Sequence, residues 1–365
     1  MSTLTEKDVL AAGNFAGVNS ALDAELARAR KGEAGTASLS FDLASGRYII
    51  FSDLHRGARN HADDFWRTER AYNAAIAYYH RMGYTLVLLG DVEELWEERP
   101  APVLRAYEHT LKLEARFHQE KRYLRVRGNH DDEWQYKARV KSLLGPLYGG
   151  DELRVYDSLL VRVMDGTEEL GVLFMVHGQQ GSGTSDRWPE LSKFVVRYIW
   201  RPIQRLTHLS FNTPAKSWRL RQTHNRALNS WAQTQDKLVL IAGHTHRPVF
   251  QSESHEAQIR KRLAELERGA KGRASQEQLE EPAELLAELE WVLAQERQRP
   301  KEEPEAGPMK PCYFNTGCCC YLDGDITGLE LADGQIRLVR WPNDDAEPKR
   351  HILVKGSLKD VLAHC

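Results

Sequence analysis

Asp53 and His55 stand two residues apart in Ser52-Asp53-Leu54-His55, and His244 and His246 repeat that spacing in Gly243-His244-Thr245-His246. Between them lie Gly90-Asp91, Gly128-Asn129-His130-Asp131 and His177-Gly178. Asp, Asn and His are ligands of borderline divalent cations, and residues two apart on an extended chain point to one side. The seven candidates Asp53, His55, Asp91, Asn129, His177, His244 and His246 exceed what one four- to six-coordinate ion uses. Two ions sharing one carboxylate fit better, with Asp91 as the natural bridge. Such a pair can lower the pKa of a shared water, hold phosphoryl oxygens and neutralise a leaving oxygen. Asp53 and Asp91 offset only part of the charge of two divalent ions, so a positive well suited to phosphate chemistry is expected.

Each segment follows a short apolar run that predicts a strand. The runs are Tyr48–Phe51 before Asp53, Tyr84–Leu89 before Asp91, Tyr123–Val126 before Asn129, Val172–Val176 before His177 and Leu238–Ala242 before His244. Helices are predicted over 63–82 and 101–120, so the first three strands alternate with helices, as in an open α/β sheet. Leu153–Tyr156, Leu159–Val163 and Val172–Val176 predict a meander without helices between them. Late strands at Tyr313–Asn315, Leu329–Leu331 and Ile336–Trp341 would complete a second sheet. Ligands of open α/β sheets gather beyond the carboxyl ends of strands. Gly90, Gly128 and Gly243 each precede a candidate ligand and permit close backbone approach.

The rest of the chain is read around this frame. Residues 1–40 are expected to form a peripheral helical arm, 41–345 the main domain and 346–365 a C-terminal tail. Residues 187–236 predict a helical cap whose 187–226 stretch carries nine Lys and Arg against Glu190, interleaved with aromatics. Three tasks are open for it: a solvated cap, contact with an anionic membrane surface, or, less favoured, a nucleic acid backbone. Residues 253–305 predict an inserted helical hairpin, either an exposed charged protrusion or a surface for a protein partner or self-association. The cysteines 312, 318, 319, 320 and 365 are odd in number and are expected to be buried packers, because neighbours on a strand alternate faces. Lys and Arg total 50 and Asp and Glu 52, so no global field selects a polyanion. No run of about 18 apolar residues predicts a transmembrane helix. The N-terminus lacks a basic-then-apolar leader pattern, so a cytoplasmic location, with peripheral contact at the inner membrane surface through 187–226, is expected.

The ordered set Asp53-x-His55, Gly90-Asp91-x-x-Glu94, Gly128-Asn129-His130-Asp131, His177-Gly178 and Gly243-His244-x-His246 resembles the calcineurin-like metallophosphoesterase superfamily. The resemblance implies a four-layer α/β/β/α sandwich and a dinuclear, metal-dependent phosphohydrolase. One cation would take Asp53, His55, Asp91 and His246, and the other Asp91, Asn129, His177 and His244. Mn²⁺ suits the set best, with Fe²⁺, Zn²⁺ or Ni²⁺ as alternatives. By the same resemblance His130 contacts phosphate or protonates the leaving group, and Asp131 orients it. Arg56, Asn60 and Arg127 border the motifs and are candidate contacts for a substrate phosphate. The expected substrate is a phosphorylated small molecule or lipid. The cap and the Glu94-Leu95-Trp96 stretch are similar to bacterial UDP-diacylglucosamine pyrophosphatases, although Gly178-Gln179 and the 253–305 insertion depart from their pattern. A nucleotide or nucleic-acid phosphodiesterase and a catalytically dead scaffold of the same fold are the other readings. A scaffold would be expected to lack ligands, and none is missing here.

Overall fold

The computed structural model describes residues 6–61, 63–150, 152–180, 218–269, 286–287, 289–292, 309–343 and 347–365. Two sheets face each other. One has six strands in the order β13-β12-β11-β2-β3-β4, and the other has seven in the order β1-β5-β6-β7-β10-β8-β9. The first contains β2 (Tyr48–Phe51), β3 (Thr85–Leu89), β4 (Tyr123–Val126), β11 (Ile326–Ala332), β12 (Gln335–Trp341) and β13 (His351–Ser357). The second contains β1 (Thr36–Asp42), β5 (Ser158–Asp165), β6 (Glu168–Val176), β7 (Leu238–Ala242), β8 (Pro248–Phe250), β9 (Glu253–Ser254) and β10 (Tyr313–Thr316). β2, β3 and β4 are parallel, as are β6, β7 and β10.

Strand alternation builds the layers. On β2 and β3, Ile50, Val87 and Leu89 face the opposing sheet, while Ile49, Phe51, Leu86 and Leu88 face helices α2 (Glu69–Arg81) and α4 (Glu108–Gln119). α3 (Pro100–Ala106) leads into α4. The outer face of the other sheet carries α1 (Glu6–Lys31), α5 (Trp218–Gln233) and α7 (Leu358–Ala363). The four-layer α/β/β/α expectation holds.

Three expectations about the periphery change. The N-terminal segment is no arm: Val18, Leu22, Leu26 and Ala29 are buried against the sheet, and the Trp231 indole of α5 donates to Asp23 Oδ1 (2.8 Å). Its end, Thr36–Asp42, is a strand paired in parallel with β5. The 346–365 segment is no tail: β13 pairs with β12, and α7 buries Leu358, Val361 and Leu362. The expected strand at Leu153–Tyr156 reduces to a single bridge between Tyr156 and Val126, which leaves β5 to start at Ser158.

The expected cap lies outside the described residues except for α5. Of the insertion, α6 (His255–Gly269) and part of 286–292 are described. Within the described part, Trp291 is docked rather than protruding. Trp291 lies edge-on to Tyr321 with centroids 5.6 Å apart, donates to Asp323 Oδ2 (2.7 Å) and carries the Arg340 guanidinium 4.1 Å over its ring. Cys312, Cys318, Cys319 and Cys365 are buried and unpaired, and Cys320 is partly exposed.

Candidate metal centre

The loops after β2 and β3 are pinned together. Asp53 N donates to Gly90 O (3.1 Å) and His55 N to Asp91 O (3.0 Å). The chain turns so sharply there that Asp53, His55 and Asp91 have φ of 54°, 49° and 51°. His244 and His246, after β7, have φ of 68° and 57°. Left-handed backbone costs a residue bearing a Cβ about 1–3 kcal/mol and clusters at functional sites. Five of the seven candidate ligands carry it. The preceding glycines are needed for space: a Cβ at Gly128 would collide with Asp91, at Gly90 with the His177 ring, and at Gly243 with Ser52 and Asp53.

Six of the seven candidates meet where the two sheets' strand ends come together, and Asn129 lies in the loop beside them, between Gly128, which abuts Asp91, and His130, whose N donates to Asp91 Oδ1 (2.8 Å). Asp53, His55, Asp91 and Asn129 come from the ends of β2, β3 and β4, and His177, His244 and His246 from the ends of β6 and β7. Asp53, His55 and His246 form one group of potential ligand atoms, and Asp91, His177 and His244 another. Asp91 sits between them, with Oδ2 3.0 Å from His177 Nε2 and 3.8 Å from His55 Nε2. Asp53 Oδ1 lies 3.2 Å from His246 Nε2. His55 Nε2 and His246 Nε2 face each other at 3.2 Å, an approach that requires a proton or a cation between two lone pairs. His177 Nδ1 donates to Leu89 O (2.9 Å), which leaves Nε2 bare toward the site. Nε2 of His177 and Oδ1 of Asn129 are buried without a hydrogen-bond partner. Two lone pairs 3.0 Å apart on His177 Nε2 and Asp91 Oδ2 need a proton or a cation between them, and a buried acceptor without a partner such as Asn129 Oδ1 is costly, so the donor set fits divalent ions.

The electrostatics agree. Burial alone would lower the imidazoles, yet Asp91 and Asp53 hold His177 up at about 9, and Asp53 does the same for His246. His246 and His177 overcome burial to hold Asp53 down at about 2. His244 is pushed well below its usual value by burial, with His177 and His224 alongside. The pocket thus holds positive charge, as protons or as metal.

Beside the ligands, the His130 ring stacks on Trp96 with centroids 4.7 Å apart and planes 18° apart. Glu94 Oε2 lies 2.6 Å from His130 Nδ1 and 3.2 Å from His55 Nδ1. Despite burial, Glu94 and Asp91 raise His130 to about 9. The orienting carboxylate is therefore Glu94, not the expected Asp131. Asp131 accepts from Gly128 N (2.6 Å) and Val92 N (3.1 Å) and lies 3.3 Å from Arg125, so it shapes the two loops.

Arg56 is also corrected. Its guanidinium is fully buried and pairs with Glu114 and Glu93, and Glu114 also takes the hydroxyls of Tyr72 (2.8 Å) and Tyr148 (2.6 Å). It holds the floor of the site and has no opening to a substrate. Asn60 is exposed and donates to Glu98 Oε1 (2.7 Å). Arg127 is held by Asp157 Oδ1 (2.6 Å), which faces Arg28 of α1 rather than the ligands.

Sequence reasoning missed Glu94 as the shared partner and His224 of α5. His224 is buried, contacts Gly178 O through Nε2, and lies 5.3 Å from the His244 ring. One turn pattern was available: His224 shares the inward face of α5 with Ala227, Leu228 and Trp231. Its neighbour Asn225 accepts from Thr245 Oγ1 (3.0 Å) and Tyr313 OH (2.6 Å), and Asn315 Nδ2 donates to Gly243 O (2.7 Å). These bonds fix the loop that presents His244 and His246.

Residues 46–248, more than half of the chain, match the family described as calcineurin-like phosphoesterase, and the chain belongs to it. No curated protein sequence matches. Similar solved structures include Vacuolar Protein Sorting 29 from Cryptosporidium parvum, with 9% identity over 86% of this chain and 99% of that one at a TM-score of 0.30. A single mutant of Vps29 from Entamoeba histolytica has 11% identity over 85% and 99% at a TM-score of 0.27. Among the described residues no helix is long and apolar enough to cross a membrane.

Proposed function

We propose that the chain hydrolyses phosphoric esters with two divalent cations, one held by Asp53, His55, Asp91 and His246, the other by Asp91, Asn129, His177 and His244. The observation that carries this is the meeting of six donors from two sheets, with Asn129 Oδ1 buried without a partner in the loop next to Asp91. When bound, the cations supply an activated water and positive charge for the phosphoryl and leaving oxygens.

The side chains do the rest. Asp91 belongs to both ligand groups and keeps them in register, with Oδ1 tied to His130 N (2.8 Å) and Oδ2 turned toward His177. His177 is held in one tautomer by Leu89 O, so its ligating nitrogen is pre-set. His130 has Nδ1 against Glu94, which leaves Nε2 to hold a substrate oxygen or to hand a proton to the departing alkoxide. Trp96 covers one face of that ring and fixes its plane.

The test is hydrolysis of p-nitrophenyl phosphate and its bis ester by the purified chain with Mn²⁺, and in parallel with Fe²⁺, Zn²⁺ and Ni²⁺. Metal-dependent turnover that Asp91→Asn removes while the circular dichroism spectrum is retained is the expected result. Full activity in Asp91→Asn, or metal-independent turnover, refutes the assignment. A screen across nucleotides, lipid pyrophosphates and phosphodiesters then identifies the substrate.

A further inference from the structure

Three cysteines follow β10. Their side chains alternate, as a strand-like chain requires. Cys319 turns inward, with Sγ 3.8 Å from Thr327 O. Cys318 and Cys320 share the other side, and there they meet His246. Cys320 Sγ lies 3.6 Å from His246 Nδ1, and the ligand atoms of Cys318, Cys320 and His246 all lie within 4.8 Å of one another. A tetrahedral ion with Zn–S of about 2.3 Å and Zn–N of about 2.0–2.1 Å places its sulfur and nitrogen about 3.6 Å apart. The edge between Cys320 and His246 already has that length. His246 and Cys320 are partly exposed, so the cluster is reachable from solvent.

We propose that Cys318, Cys320 and His246 Nδ1 form a further cation site, for a thiophilic ion such as Zn²⁺, Cd²⁺ or Cu⁺, which competes with the phosphoesterase centre for His246. The competition rests on the reading of His246 as a ligand in that centre, and on tautomers. A neutral imidazole has one bare nitrogen. When Nε2 serves the Asp53 side, Nδ1 carries the proton and points it at Cys320. When Nδ1 binds a thiophilic ion, the proton sits on Nε2, 3.2 Å from Asp53 Oδ1, and donates there. Binding to the metal-free chain releases the two thiol protons and the His246 Nδ1 proton to solvent, whereas in the Mn²⁺-loaded chain the Nδ1 proton moves to Nε2 as that nitrogen leaves its ion. Soft thiolates select such ions over Mn²⁺, so occupancy of this site shuts the centre without a change of fold.

The experiment titrates Cd²⁺ into the full metal-free chain and follows the ultraviolet thiolate-to-cadmium charge-transfer band. One equivalent with a thiolate band is expected, lost in both Cys318→Ser and Cys320→Ser and kept in Cys312→Ser. In the Mn²⁺-loaded chain, the Cd²⁺ concentration that halves ester hydrolysis should rise at least about tenfold in Cys320→Ser. Absence of the band in the wild-type chain, or its survival in both serine variants, overturns the proposal. A band without any Mn²⁺-dependent hydrolysis in the wild-type chain would instead strike the phosphoesterase reading and leave the thiol site standing.

Discussion

Glu94→Gln separates proton delivery from metal retention. The substitution keeps the shape of the side chain and removes its charge. Glu94 Oε2 is 2.6 Å from His130 Nδ1 and 3.2 Å from His55 Nδ1, and the carboxylate is nearly fully buried. A hydrogen bond to a charged partner contributes about 1.5–3 kcal/mol, and one pKa unit corresponds to about 1.4 kcal/mol. His130 should therefore drop by about 1–2 units from its raised value, because Glu94 is the main group opposing desolvation there. Above the new pKa, the protonated fraction falls about 10- to 100-fold. Poor leaving groups need that proton and good ones do not. The assay is a pH profile of kcat/KM for phenyl and p-nitrophenyl phosphates, with bound metal measured on the same samples. The alkaline limb for the phenyl ester should move to lower pH by about 1–2 units, with a smaller change for the p-nitrophenyl ester. Equal losses for both esters with an unmoved limb, matched by lost metal, would refute the proton-delivery argument and leave Glu94 as a prop for His55 alone.

Other outcomes follow from the same geometry. Metal affinity should rise with pH toward 9, by up to about a hundredfold per unit for the two ions together, because protons held up at about 9 on His177 and His246 must leave first; isothermal titration at several pH values checks this. The sign reverses for the metal-free chain. These raised imidazoles stabilise it fully below their unfolded value of about 6.5, and the contribution is lost as pH climbs through 9, so its melting temperature should fall across that window while that of the metal-loaded chain does not. Arg56→Met should destabilise the fold by about 3–5 kcal/mol by stranding Glu114, read by chemical denaturation, and any folded fraction should keep its KM. Gly128→Ala should lower metal affinity at least about tenfold, because the new methyl group displaces Asp91.

The candidate ligands stood out because each motif is local: an apolar run and then a donor, with a glycine between them before Asp91, Asn129 and His244. That rhythm needs no knowledge of what the strand packs against. Arg56 shows the opposite case. An arginine after a ligand motif reads as an anion contact, and only Glu114, 58 residues away on α4, reveals it as a buried brace. Glu94 was hidden for a related reason. Glu93 and Glu94 are identical in type, and alternation sends one to Arg125 and the other to His55 and His130. Asp131 took the orienting role on paper because it adjoins His130. The edges were misread because little of either strand is buried: Thr36–Asp42 buries only Phe41, and His351–Ser357, although it carries Ile352, Leu353 and Val354, buries none of its residues fully. Left-handed backbone at five ligands leaves no mark in composition beyond the glycines beside it.

The origin of the ligands in both sheets has a mechanical consequence. In the proposed centre four donors come from the six-stranded sheet and three from the seven-stranded one, so its loading would rivet the two halves of the sandwich where their strand ends meet. Chelation should then do more than silence chemistry: it should unzip that edge first, with amide exchange quickening in the loops after β2, β3, β6 and β7 while the helix-covered outer faces stay closed.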